Sequence, residues 1–193
     1  MQVSQLCDQE LITHYLDGND SAFKELLERH QKKIYTTIYL FVKDRDMAED
    51  LFQEVFIKII DTLRKKAYSH EGKFSQWATR IAYNMCVDQF RRNKKHTKVQ
   101  TSEEFDIFNV LELPDHNKED QMIISEVHGT VRKLVDMLPD EQKEVVILRH
   151  YADLSFKEIS ALTNVSINTA LGRMRYALIN IRKMMEEKAI VLH

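Results

Sequence analysis

Chain breakers and covalent staples are scarce in this sequence. Its 193 residues include four glycines and two prolines. Long stretches are therefore free to stay helical, and the many tight turns of a strand-rich fold are excluded. The two cysteines, Cys7 and Cys86, lie far apart and outside any CxxC context. No disulfide framework or zinc ribbon is expected, and both thiols are read as buried small apolar residues in a reducing, cytosolic compartment. The longest apolar run, Ile38 to Val42, is too short to cross a bilayer. The opening MQVSQLCDQE lacks a basic and an apolar segment, so neither a signal peptide nor membrane insertion is expected. A glycine-rich phosphate loop is missing, and the eight histidines are scattered without ligand spacing. No catalytic residue, metal site or cofactor is therefore expected.

What is plentiful is charge, and it is segregated. The formal net charge of −2 hides a basic stretch in which Arg80, Arg91, Arg92, Lys94, Lys95 and Lys98 face one acid, Asp88. The next stretch inverts: Glu103, Glu104, Asp106, Glu112, Asp115, Glu119 and Asp120 face only Lys118. It contains Pro114 and shows poor helical periodicity, as expected of a flexible acidic linker over 96–120. The fold expected is all-α, with two small helical domains, 1–95 and 121–193, on either side of that linker.

In the first block, Phe23, Leu26, Leu27, Ile34, Ile38 and Phe41 recur at three- and four-residue spacing after Ser21, a candidate N-cap. Asp46 and Glu49 resemble a capping box opening DMAEDLFQEVFIKIIDTL, with Leu51, Val55, Ile59 and Leu63 along one stripe. Phe74, Trp77 and Ile81 share the next apolar face, followed by Val87 and Phe90. In the second block, Ile123, Val127, Val131, Leu134 and Leu138 form a stripe that stops at Pro139, a residue suited to the first turn of a new helix carrying Val145, Val146 and Leu148. Ser155 and Glu158 form a capping box for a short helix with Ile159 and Leu162. Asn164 suits a left-handed helix exit, and Ser166 caps the last helix.

That last helix places Ile167, Ala170, Met174, Ala177, Leu178 and Ile181 on one side. Asn168, Thr169, Gly172, Tyr176 and Lys183 face away, with Arg173 and Arg175 on the shoulders. From Ser166 to Met185 there is no acid. A short helix, a tight turn and a longer polar-faced helix make a helix-turn-helix, whose second helix fits the major groove. Arginines there reach phosphate or guanine, and Asn168 reaches adenine. A helical hairpin with a solvated basic face is the plainer reading; the missing acids favour DNA.

The acids Asp46, Glu49, Asp50 and Glu54, with Gln53, form a face suited to a basic partner surface, although such a row is often merely solvated. Together, DMAEDLFQEVFIKII, FSQWATRIAYNMCVDQFRR, LPDEQKEVVILRHYADLSFKEIS and VSINTALGRMRYAL resemble the extracytoplasmic-function (ECF) branch of the bacterial RNA polymerase sigma factors. The likeness spans nearly the whole chain in the family's order. It implies a non-enzymatic, cytoplasmic transcription initiation factor with core RNA polymerase and promoter DNA as partners, and an anti-sigma factor as a further one. Polymerase docking would fall on Asp46, Glu49, Asp50, Gln53 and Glu54. Recognition and melting of the minus-ten element would fall on Arg80, Asn84, Arg91, Arg92, Lys94 and Lys95. Reading of the minus-thirty-five element would fall on Asn168, Thr169, Leu171, Gly172, Arg173, Arg175 and Tyr176, with Arg173 on phosphates. Trp77 matches the family's core tryptophan; Tyr83 is either core or a stacking platform. Two departures concern the reader: Leu171 stands where relatives often carry a basic residue, and Gly172 replaces a common serine. The resemblance also sends the linker through polymerase, where Glu103, Glu104 and Asp106 would imitate RNA phosphates; composition alone reads it as a solvated tether.

Two other readings compete. A stand-alone helix-turn-helix regulator would need a dimer seam, and no long unexplained apolar seam remains. A helical interaction protein without a DNA role leaves the basic stretches 80–98 and 173–183 unexplained.

Overall fold

Helix α2 (Asp20–Val42) is the element the first unit is built around: α1 (Asp8–Leu16), α3 (Arg45–Arg64) and α4 (Phe74–His96) all pack on it. The computed structural model describes residues 3–69, 72–96 and 131–187, and for Val3 and 93–96 the backbone alone. It divides into two compact units, Met1–Glu103 and Glu104–His193. Every regular element among the described residues is helical. The stretch read as linker, 96–120, lies outside them apart from the helical His96, and Ile123 and Val127 lie wholly outside.

Ala22, Leu26, Ile34 and Ile38 follow one another at four-residue steps down α2 and are fully buried. The slot between Leu26 and Ile34 holds His30, half-buried. Its Nε2 lies 2.8 Å from Asp8 Oδ2, and its ring centre 5.1 Å from that of Phe74. A histidine fits this stripe because its polar edge has a carboxylate partner. The adjacent Arg29 donates to the carbonyls of Leu6 (2.6 Å) and Ser4 (2.8 Å), and to Glu25 at 2.8 Å. It thereby fastens the first turn of the chain to α2.

Leu51, Val55, Ile59 and Leu63 of α3 are buried as their spacing predicts, and so are Phe74 and Trp77 of α4. Ile81 and Val87 are only partly buried and Phe90 is 43% exposed, the small Ala78, Ala82 and Cys86 filling the contact instead. Trp77 packs edge-on against Tyr68 at 4.7 Å, which makes it a core residue. Tyr83 is buried too, edge-on to Phe41 at 5.4 Å, so in this structure it is no stacking platform.

The helix starts depart from the sequence reading by a residue or two. Asn19, not Ser21, caps α2, accepting from the Ser21 N–H at 3.1 Å. Asp44, not Asp46, caps α3, accepting from the Met47 N–H at 2.7 Å. Both are side chains of the type that satisfies an orphan N–H, standing just upstream of the ones first chosen. Cys7 is exposed rather than buried. It precedes α1, and its N–H donates to Glu10 at 2.7 Å, holding that carboxyl below its ordinary range.

In the second unit, residues 131–136 (α5) lead to α6 (Asp140–Val146), which continues as a π-helical turn over Ile147–Tyr151. Pro139 stands one residue before α6 rather than in its first turn. Val145, Val146, Ile147 and Leu148 are all buried. Four successive positions sweep about 300° of helix, so this segment is enclosed on most sides. The widened turn closes with the Ala152 N–H on the Ile147 carbonyl at 3.1 Å.

Next come α7 (Phe156–Thr163) and α8 (Ile167–Glu187), joined by Asn164–Ser166. Ser155 Oγ accepts from the Glu158 N–H at 3.3 Å, and Glu158 returns the bond to the Ser155 N–H at 2.9 Å. Asn164 is left-handed at φ 55°, ψ 39°. Ser160 Oγ donates to the Val165 carbonyl at 2.8 Å, and Ser166 Oγ accepts from the Thr169 N–H at 3.0 Å. Every part of this turn is thus fastened locally.

Two measurements check these assignments. Burial pushes the Cys86 thiol up to about 12, so thiolate-selective labelling of the native protein at neutral pH should modify Cys7 alone, with Cys86 reacting only in denaturant. Ser155→Ala removes one cap and should lower the second unit's stability by about 1 kcal/mol in denaturant titration.

Candidate nucleic-acid and docking interfaces

The outer side of α3 carries Asp46, Asp50 and Gln53 in one row at four- and three-residue steps, with Glu49 and Glu54 beside them; all five are exposed. Glu49 accepts from Arg45 Nε at 2.8 Å, so part of its charge is met within the helix. The same row continues to Ile57, which is 60% exposed. The sequence reading passed over Ile57, although the stripe Leu51–Val55–Ile59–Leu63 by its period leaves position 57 facing away from the core. The exposed face of α3 thus combines four acids with a protruding isoleucine and is not purely charged.

On α4, Arg80, Asn84 and Arg91 fall on one outward stripe at helical spacing. Asn84, Arg91 and Arg92 are exposed, and Arg80 is half-buried. Arg91 lies 3.5 Å from Asp88, but both are mostly solvated, so water screens that pair. Lys94 and Lys95 belong to the last turn of α4 by backbone, and their side chains fall outside the described residues.

On α8, the buried residues are Ala170 and Ala177. Met174, Ile181 and Met184 pack against the cluster of Val135, Leu138, Val146 and Ala177. Ile167 and Leu178, expected on the apolar side, are 44% and 53% exposed: with only alanines at the centre of the contact, the buried arc is narrow. Asn168, Thr169, Leu171, Arg175 and Tyr176 are exposed and Gly172 is partly so. Arg173 is engaged elsewhere, 3.3 Å from Glu141 and 3.7 Å from Glu144 of α6. Two turns further on, Asn180 Nδ2 donates to Gln142 Oε1 at 2.8 Å. Acids absent from α8 before Glu186 are therefore supplied to its inner side by α6. Local sequence shows no sign of this, because the partners are about thirty residues away.

Among the described residues, no three histidine, cysteine or carboxylate side chains come together as a metal site, and no helix is long and apolar enough to cross a membrane.

Residues 26–96 match the family model Sigma-70 region 2, and residues 128–175 match Sigma-70 region 4. Together the matches take in more than half of the chain. The chain is 26% identical over 174 residues to the ECF RNA polymerase sigma factor SigW of Bacillus subtilis, covering 88% of itself and 92% of SigW. It is 29% identical over 175 residues to the ECF RNA polymerase sigma-E factor of Escherichia coli, covering 88% and 90%. The chain belongs to the ECF sigma factors.

In fold, this sigma factor is similar to CnrH, at a TM-score of 0.60 and 18% identity over 93% of this chain and 97% of CnrH. It is also similar to the Bartonella quintana sigma factor RpoE, at 0.64 and 17% over 85% and 96%. Its function is the family's: it directs core RNA polymerase to promoters and assists the initiation of transcription. In this sigma factor the α6–α8 ion pairs are partly buried at the Arg173–Glu144 end and solvated at Glu141. Arg173→Ala should therefore lower the second unit's stability by about 1–2 kcal/mol. Glu141→Gln should change it by less than about 0.5 kcal/mol. Thermal or denaturant melting of the two variants reads the difference.

Proposed function

We propose a division of labour between the two units. The first, over residues 1–95, docks on core polymerase through Asp46, Glu49, Asp50, Gln53, Glu54 and the protruding Ile57. It also engages the minus-ten element through Arg80, Asn84, Arg91, Arg92, Lys94 and Lys95. The second, over 121–193, reads the minus-thirty-five element through Asn168, Thr169, Leu171, Gly172, Arg175 and Tyr176, with Arg173 setting the helix that carries them. Residues 96–120 tether the two.

The observation that carries this reading is the pairing, in one chain, of a fully exposed acidic row on α3 with a helix that carries no acid from Ser166 to Met185. One surface suits a basic protein and the other a polyanion. The basic stripe on α4 fits held single strand, because phosphate contacts dominate such binding and do not depend on sequence. With a net charge of only −2, the free factor has little general affinity for DNA; holding both units on polymerase raises their effective concentration at the promoter. The protein works in the cytoplasm and performs no catalysis of its own, the magnesium chemistry belonging to polymerase. CnrH and RpoE were solved with the cytosolic domain of CnrY and with the anti-sigma factor NepR, and an anti-sigma factor is a proposed partner here too.

The test is run-off transcription from a pool of genomic fragments by core polymerase with and without this protein. Discrete new start sites are expected. They should vanish with Asp50→Ala and Gln53→Ala combined, while the melting temperature stays put because both side chains are exposed. Specific DNA binding by the protein alone, without new starts, would overturn the docking assignment in favour of a stand-alone regulator.

A further inference from the structure

The outer arc of α8 has two features that its own packing does not explain. Gly172 stands in the middle of the helix, where glycine costs about 1 kcal/mol relative to alanine. Yet a methyl group built there would meet no atom within 4 Å. Nothing among the described residues needs that space. The second feature is Leu171, 43% exposed although it borders the apolar side of the helix. Asn168 and Arg175, four residues before Gly172 and three after, lie on the same arc, and Tyr176 flanks it, 62% exposed. Thr169 is partly spent, its hydroxyl 2.9 Å from that of Ser166.

We propose that α8 reads a thymine in the upstream promoter element by contact of Leu171 with the base's 5-methyl group, and that the bare backbone at Gly172 lets the helix sit deep enough in the major groove to make it. The inference rests on the assignment of α8 to promoter DNA. The thymine methyl is the one apolar mark on base edges in that groove, and leucine offers no hydrogen bond with which to read anything else. A helix approaches a partner closely where a side chain is missing. The flanking groups, an amide and a guanidinium one turn to either side, are those that bond base edges. Arg182 extends the positive surface along the same helix, which carries no acid up to Met185; Lys183 lies 3.7 Å from Glu187 in a pair that water screens. A nucleic acid fits this mixture better than an apolar protein surface, which would leave Arg175 and Arg182 to be desolvated without partners.

The full-length protein bound to core polymerase, on a promoter recovered by run-off transcription, provides the test. Each thymine of the upstream element is replaced in turn by deoxyuridine, which removes only the methyl group and keeps the pairing. At one position uracil should weaken binding roughly fourfold, the worth of one buried methyl. With Leu171→Ala the same replacement should cost nothing further. Gly172→Ala should raise the melting temperature by a few degrees and weaken promoter binding roughly tenfold, because the added methyl overpacks the contact. Uracil tolerated at every position, an equal uracil cost in Leu171→Ala, or Gly172→Ala binding as well as the parent would each overturn the proposal. If an upstream footprint persists in those cases, only this inference falls. If the parent protein gives no upstream footprint at all, the assignment of α8 to DNA falls with it.

Discussion

The second unit hangs on a contact between small side chains. Ala170 and Ala177, seven residues apart, are the fully buried positions of α8, and alanine at both lets the helix lie close against its neighbours. A narrow footprint leaves most of the circumference of α8 open, which is what a helix entering a groove needs. It also means that apolar burial alone orients the helix weakly, since each alanine hides little surface. Met174, Ile181 and Met184 pack against the cluster that holds Ala177, and Arg173 with Glu141 and Glu144, and Asn180 with Gln142, add directional contacts that the apolar arc lacks. The presented face of α8 is thus a consequence of how little of the helix is buried.

The first unit solves the opposite problem. Its α2 is surrounded by three helices, and its stripe is fully buried at Ala22, Leu26, Ile34 and Ile38. Charged residues are displaced to the outer sides of the two flanking helices, acids on α3 and bases on α4. Because the core is apolar, the polar faces are free to vary without endangering the fold. Opposite charges sit on separate helices, so one small domain offers an acidic and a basic side.

Much of this was legible in the sequence. The stripe Leu51–Val55–Ile59–Leu63, the Ser155–Glu158 box, the left-handed Asn164 and the cap at Ser166 are set by interactions within four residues or by simple period. The misreadings have physical causes of two kinds. Several capable side chains compete for a helix start, so Asn19 and Asp44 displaced Ser21 and Asp46 by proximity to the first free N–H groups. The other kind is tertiary: Arg173 looked available because its acids lie on α6, Cys7 looked buried because its type usually is, and Leu178 emerged because the contact beneath α8 is narrow. Charge pattern marks the polar residues of the α3 face, whereas Ile57, an apolar residue, is revealed there only by its 60% exposure.

The widened turn at Ile147–Tyr151 has a bearing on how such a chain can change over time. Each residue added to a helix rotates everything after it by about 100° and advances it by about 1.5 Å. The bond from the Ala152 N–H to the Ile147 carbonyl absorbs a residue that ordinary helical pairing would not accommodate. This short stretch therefore fixes the angular phase between α6 and the pair α7–α8. Substitutions on the outer side of α8 change its surface one residue at a time; the loss of a single residue here would instead shift all of α7–α8 against its α6 supports at once, an evolutionary step with no gradual route.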